Sequence, residues 1–489
     1  MDFLNILQAY FNFTNIFFEN KSKKSIKEKS QYFTPIDIVD KMLEDLEIQS
    51  LEKIRILDPA CGCGILLIKL LEKLVKFETI KIIEIDAYDI EQEALNITQK
   101  IINKINLLTK TKIKIKTYNI DFLKKDIQKK YDYIISNPPY KKTNKNLVEQ
   151  DLMFLVNGQP NLYHLFIGKT LKLLKENGKL IIISPKNFLS GKYTENLRKF
   201  IFENFSITKL HTFNERSKIF NGEIIQEVCI SHIENKKKNK IFISYNGNKK
   251  MELDIKNLIL DSKKFIIMTP RNPEDVETIK LFNQIQNKSI GKELFIKIGK
   301  VVQFRVFNGK DSLEDKKFDE VENGIPLLVY RHINKGKINY REISEKSKNK
   351  AITLKSTNND SLLIDNSNYV VLKKNIDKKE NKIIKPVLYL KDLNCQKISI
   401  DNNLSYFTNR NDNLSREEVC GIFCILNSKQ FDAYYRMINS SHTLNVYELE
   451  SMFFPNMDII KKIGIECIDK NLTIDVCTKI FEKCFVKLK

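Results

Sequence analysis

Apolar residues recur through the first half of the chain in two alternating rhythms. Leu66, Leu67, Leu70, Leu71 and Leu74 fall on one stripe at helical spacing, which predicts a helix over 64–77. The apolar runs at 54–57 and 131–136 have the length of buried strands, and 112–119 alternates Lys with Ile or Tyr as a half-buried strand does. The same reading gives helices at 36–46, 92–105, 162–176 and 194–204, and strands at 82–90, 179–184, 207–213 and 224–233. Asn177-Gly178 reads as the C-terminal cap of the helix at 162–176. Strand and helix in alternation imply an α/β unit, a mostly parallel sheet covered by helices. Ligands bind such sheets where loops leave the carboxyl ends of the strands.

Before this unit, Phe3, Leu4, Leu7, Tyr10 and Phe11 share a helical face, and a helix docked on the body is expected there. A charged link, 21–31, follows it. After the lysine run at 236–238 the rhythm changes. Segments become shorter, mostly strand-like, and separated by Asn, Lys and Asp clusters as far as Asp412; helix is then expected over about 415–437. The domains drawn from this are 1–30, 31–245 and 246–489, the last boundary resting on whether 240–245 belongs to either side.

Composition sharpens the picture. With 489 residues, more than one core is expected. Lys and Arg number 82 against 61 Asp and Glu, a formal charge of +21 that favours a polyanionic partner such as nucleic acid. A Lys-, Ile- and Asn-rich bias contributes to the same figure. The nine cysteines show no paired CxxC spacing, so neither a metal site nor a disulfide framework is expected, and a reducing cytoplasm suits them. The first eighteen residues lack a basic start, which argues against a signal peptide. No apolar run is long enough to span a membrane.

Four segments at strand ends carry chemistry. Asp58-Pro59-Ala60-Cys61-Gly62-Cys63-Gly64 lies between a strand and a helix, where glycines let a ligand approach the backbone. It lacks both GxGxxG and the Lys-Ser/Thr of a phosphate loop, so a nucleoside triphosphate fits poorly. Asp89, followed by Ile90, ends the next strand, where an acid accepts from ribose hydroxyls in dinucleotide folds. Asp121-Phe122 pairs a carboxylate with an aromatic that could hold an adenine. Asn137-Pro138-Pro139-Tyr140 is the most specific. Two prolines end the strand and stiffen the backbone, which fixes the Asn137 amide, the Pro138 carbonyl and Tyr140 around one point. Both oxygens can accept from an amino group while the aromatic stacks on a base.

In this order, with Tyr32-Phe33-Thr34-Pro35 ahead of them, the segments resemble the gamma-class DNA adenine-N6 methyltransferases of bacterial restriction–modification systems. The likeness continues through Asn161-Leu162-Tyr163 and Gly178-Lys179-Leu180 to Ile219-Phe220-Asn221, and more loosely through Pro326-Leu327-Leu328 and 421–445. It implies a Rossmann-like seven-stranded sheet with helices on both faces, followed by a mixed α+β target-recognition domain. The implied cofactor is S-adenosyl-L-methionine. Thr34, Asp58 and Ala60 would line its methionine end, Asp89 would bind its ribose hydroxyls, and Asp121 and Phe122 its adenine, with Gly62 and Ile90 also among the cofactor-binding residues. Asn137, Pro138, Pro139 and Tyr140 would hold a target adenine flipped out of duplex DNA, with Phe220 closing its other face.

Lys300, Arg305, Arg331 and Arg436 are candidate DNA contacts, chosen from polar loops of the second half. The implied enzyme is a monomer in the bacterial cytoplasm, with a separate cognate restriction endonuclease as its partner; the stretch before Tyr32 is shorter than a nuclease domain. An RNA amino-group methyltransferase, a protein-glutamine N5 methyltransferase and a cytosine-N4 methyltransferase share the chemistry and stay open. A non-catalytic DNA-specificity subunit would leave the motifs of the first half unexplained.

Overall fold

A computed structural model describes residues 3–19, 34–213, 227–247, 249–285, 290–306, 312–334, 337–338, 340, 351–355, 360–375, 382–439 and 443–486. Tyr32, Phe33 and Phe220, and the charged link, lie outside the described residues. The chain divides into two compact units, Met1–Asn272 and Pro273–Lys489.

In the first unit, nine strands form one sheet. They are β1 (Lys53–Asp58), β2 (Ile82–Asp89), β3 (Lys112–Asn119), β4 (Tyr131–Ser136), β5 (Leu174–Pro185), β6 (Ser206–Thr212), β7 (Val228–Glu234), β8 (Lys240–Tyr245) and β9 (Met251–Asp254), in the order 3-2-1-4-5-7-6-8-9. Pairings from β3 through β5 are parallel, and β7 runs antiparallel between β5 and β6. These seven strands are the expected sheet; β8 beside β6 and β9 beside β8 extend it. That pairing carries the first unit past residue 245, to Asn272.

The helices are α1 (Phe3–Glu19), α2 (Ile36–Leu43), α3 (Ile65–Leu74), α4 (Gln92–Leu108), α5 (Leu162–Lys172) and α6 (Glu195–Asn204). The leucine stripe of α3 is fully buried with Ile54, Ile56, Ile83 and Ile85 of the sheet. The strand order reverses between β1 and β4, so the loops after these two strands open at the point where such sheets bind ligands.

Two local expectations differ from the structure. The helix expected to reach 176 stops at Lys172, and Asn177, at φ 60°, lies inside β5. Tertiary pairing overrides the cap signal: Asn177 N–H donates to Asn235 O, Asn235 N–H to Gly178 O, and Gln49 Nε2 to Asn177 O. On α1 the buried face is Ile6, Tyr10, Thr14 and Phe17, whereas Leu4 and Phe11 of the expected face are exposed. The helical stretch expected over 415–437 is two helices, Arg416–Asn427 and Lys429–Ile438, because the Ser428 hydroxyl accepts from Phe431 N–H and starts a new helix.

The second unit holds two sheets among its described residues. One has six strands, in the order Phe295–Ile298, Leu404–Thr408, Asn368–Lys373, Pro386–Leu390, Lys337–Ile338, Ile333–Asn334. The other has five, in the order Ser312–Glu314, Thr353–Lys355, Gly324–Leu328, Lys397–Ile400, Leu363–Asp365. The helices from Arg416 onward complete a mixed α+β unit. Among the described residues of the chain, no helix is long and apolar enough to cross a membrane.

Candidate active site

The loop after β1 is shaped by its own polar groups. Asp58 is fully buried, and its Oδ1 accepts from the Ala60 N–H at 3.1 Å. Burial holds its carboxyl well above the usual carboxylate range, the Ala60 N–H opposes the rise, and nearby Asp89 adds to it. Gly62 takes φ 51°, and nothing lies within 4 Å of where a Cβ would sit. Gly64 takes φ 91°, and there a Cβ would strike the Thr98 side chain of α4 at 2.8 Å. Thr98 Oγ1 donates to Gly62 O at 2.8 Å, so α4 fixes the loop from behind. The first glycine leaves a bare backbone facing open space, and the second allows close packing.

Asp89, at the end of β2, ties this loop to its own. Its Oδ2 accepts from Gly62 N–H at 2.8 Å and its Oδ1 from Glu91 N–H at 2.9 Å. Burial raises its pKa, and those two N–H groups oppose the rise. After β3, Asp121 Oδ1 accepts from Leu123 N–H at 3.0 Å and closes a short turn that carries Phe122. The Phe122 ring packs against Tyr88 and Phe166 at 5.5 and 5.4 Å between centroids. Lys169 of α5 secures the turn by donating to Leu123 O at 2.7 Å and Lys125 O at 2.8 Å, with its ammonium 5.2 Å from the Phe122 ring.

The loop after β4 is held on both sides. Asn137 Nδ2 donates to Thr34 Oγ1 at 3.0 Å, and the Tyr140 hydroxyl donates to Asn137 Oδ1 at 2.9 Å and to Ile183 O at 3.2 Å. Burial keeps the Tyr140 phenol protonated by raising its pKa well above the ordinary value. An amide oxygen has two lone pairs, so one phenol donor does not saturate Asn137 Oδ1. Tyr163 meets the Tyr140 ring edge-on at 6.3 Å, and Leu162 N–H donates to Lys141 O at 2.8 Å, which clamps the loop to the start of α5.

Thr34, Ala60, Gly62, Asp89, Ile90, Asp121, Phe122, Asn137 and Pro139 line one cavity of about 220 Å³. Asp58 stands behind its wall; Pro138 and Tyr140 flank its Asn137 edge without lining it. The lining also includes residues the motifs did not single out for a site: Tyr10 and Phe17 of α1, Leu162 and Phe166 of α5, and Cys63. Thr98 and Lys169 act on the motifs through hydrogen bonds and left no local signal.

Residues 38–220 match the family described as the Eco57I restriction-modification methylase. The chain is 28% identical over 349 residues to the Type II methyltransferase M.PstI of Providencia stuartii, covering 68% of this chain and 67% of that one. It is 26% identical over 497 residues to the Type II methyltransferase M.BsuBI of Bacillus subtilis, covering 95% of each. Its fold is similar to that of the Type IIL restriction-modification enzyme MmeI, solved in complex with DNA, with a TM-score of 0.52, 13% identity, and coverage of 99% of this chain and 74% of that one.

The four basic candidates of the second unit separate. Lys300 is exposed and donates to Ser361 O at 2.7 Å. Arg305 is exposed beside the Phe304 ring, 5.8 Å from its centroid, and Phe304 itself is 67% exposed. Arg331 is half-buried and follows Tyr330, whose ring lies 5.9 Å from the Lys373 ammonium. Arg436 differs: its Nε donates to Asp432 Oδ2 at 2.7 Å, while Asp432 Oδ1 also accepts from Ile383 and Ile384 N–H. The ion pair lies within one helix, Lys429–Ile438, and the Asp432 bonds from Ile383 and Ile384 N–H tie that helix to a strand connection.

Proposed function

We propose that this protein transfers a methyl group from S-adenosylmethionine to N6 of an adenine flipped out of duplex DNA. The observation that carries the reading is the loop after β4: the Asn137 amide, held by Thr34 at Nδ2 and by Tyr140 at Oδ1, lines the same cavity as Gly62, Asp89 and Asp121. The residues present fit the donor. Gly62 lines the cavity with bare backbone, at a φ of 51° that disfavours a side chain there. Asp89 and Asp121 offer carboxylate oxygens to ribose hydroxyls and an adenine amino group, with Phe122 beside the ring. Thr34 and Ala60 lie at the methionine end, and Asp58 acts there through the Ala60 N–H rather than by contact.

When bound, S-adenosylmethionine supplies an electrophilic methyl group on a sulfonium. The chain's own task is orientation. Asn137 Oδ1 and the Pro138 carbonyl accept hydrogen bonds from the two N6–H groups of adenine, which shifts the nitrogen toward tetrahedral geometry and takes its lone pair out of conjugation with the ring. Such prearranged acceptors and held geometry are the main sources of rate. The proton leaves the product nitrogen to solvent after transfer, so no side chain is needed as base. The Tyr140 ring stacks on the flipped base, and stacking worth roughly 1–3 kcal/mol offsets the few kcal/mol of unpairing. Phe220 is proposed for the opposite face.

Phosphate and base contacts fall to the second unit. Lys300, Arg305 and Arg331, beside the exposed Phe304 and Tyr330, are the proposed contacts; Arg436 is reserved for Asp432. The reading carries a monomer acting in the bacterial cytoplasm with a separate cognate endonuclease. Asn137→Ala tests it: loss of one acceptor lowers single-turnover methyl transfer to DNA by roughly 10²–10³-fold, the scale of a lost transition-state hydrogen bond, with thermal unfolding unchanged. Full activity of Asn137→Ala contradicts it.

A further inference from the structure

Helix α1 precedes every motif, yet it contributes two aromatic side chains to the cavity. Its buried face runs through Ile6, Tyr10, Thr14 and Phe17 at helical spacing. Tyr10 is 1% exposed and Phe17 6%, and both line the cavity alongside Cys63, Leu66 and Ala94, which belong to the β1 loop, α3 and α4. The helix is anchored over α4, where Lys100 and Lys104 place their ammonium groups 5.8 and 5.7 Å from the Phe13 ring. Thr14 Oγ1 bonds back to the Tyr10 carbonyl at 3.0 Å, so that hydroxyl is satisfied within the helix.

From this geometry we infer that α1 is a wall of the methyl-donor site, and that Tyr10 and Phe17 bind S-adenosylmethionine and its product S-adenosylhomocysteine. The inference rests on the cavity being the donor site. A single helix of this length is marginal alone in water and holds its place by packing. A ligand that fills the cavity touches Tyr10 and Phe17, and so stabilises the docked helix. By linkage, weakening the docked helix weakens the ligand. The two rings add apolar contact area to the wall, while the polar recognition lies with Asp89 and Asp121.

The chain contains no tryptophan, so Phe17→Trp gives a protein with a single indole at the wall. S-adenosylhomocysteine is titrated into the parent protein by calorimetry, into Phe17→Trp by fluorescence, and into Tyr10→Ala and Tyr10→Phe by calorimetry, with thermal unfolding of each. The indole emission is expected to change saturably, with the dissociation constant that calorimetry gives. Tyr10→Ala is expected to bind about tenfold more weakly, whereas Tyr10→Phe, which keeps the ring, stays within about threefold of the parent. Unchanged indole emission at saturating ligand overturns the inference, as does parental affinity in Tyr10→Ala. If Tyr10→Ala fails to fold, the indole titration decides alone. Failure of the parent protein to bind S-adenosylhomocysteine overturns the donor-site reading, and this inference with it.

Discussion

Tyr140→Phe separates two contributions that one side chain makes. The ring stays, while the hydroxyl bonds to Asn137 Oδ1 at 2.9 Å and Ile183 O at 3.2 Å are lost. A neutral hydrogen bond has a net worth of about 1 kcal/mol, and roughly 1.4 kcal/mol is tenfold in rate. Thr34 still holds the other end of the Asn137 amide. Single-turnover methyl transfer to DNA should therefore fall by about fivefold, with DNA affinity unchanged. Tyr140→Ala removes the ring as well, and the lost stacking adds roughly 1–3 kcal/mol, for a total loss on the order of 10²-fold. The assay is transfer of labelled methyl with enzyme in excess, because turnover can be limited by product release, together with fluorescence anisotropy on duplex DNA. A parental rate in Tyr140→Phe refutes a positioning role for the hydroxyl. Equal losses in the two variants refute stacking by the ring.

Arg305→Ala should weaken DNA binding uniformly and reduce the slope of log K against log salt by about one, the signature of one lost phosphate contact; an unchanged slope removes Arg305 from the interface. Arg436→Ala, which unpairs Asp432, should lower the melting temperature without altering that slope, and an altered slope would return it to the DNA surface. His164 and His211 are held neutral by burial at pKa values of about 4, and His232 at about 3. Their folded values lie below the unfolded value of about 6.5, so their contribution is complete above pH 6.5 and is lost as pH falls toward 4. The slope is at most about 1.4 kcal/mol per pH unit for each histidine. Urea unfolding at a series of pH values checks this; stability that does not fall between pH 6.5 and 4.5 contradicts it.

Much of the first unit is legible from residue order, because buried parallel strands are continuous apolar runs and the motifs stand at their carboxyl ends. What was not legible depended on distant partners. Asn177-Gly178 has the chemistry of a helix cap, but Asn235 and Gln49, far along the chain, turn it into part of β5. The apolar residues of α1 allow more than one buried face, and only the position of α4 selects Tyr10 and Phe17 over Leu4 and Phe11. Thr98 and Lys169 are ordinary helix residues until the fold brings them to Gly62 and to the Phe122 turn. In the second unit, the strand at Asn368–Lys373 pairs with both Pro386–Leu390 and Leu404–Thr408, a sheet order that periodicity alone does not encode. A basic residue in a polar stretch likewise says nothing of its partner, which is why Arg436 looked like Arg305.

The central claim is the identity of the methylated atom. Nucleoside mass spectrometry of duplex DNA incubated with the purified protein and S-adenosylmethionine tests it directly. The account predicts N6-methyladenine, formed roughly 10²–10³-fold more slowly when Asn137→Ala replaces the parent protein. N4-methylcytosine in its place, or methyl transfer only to RNA or to a protein glutamine, would contradict it.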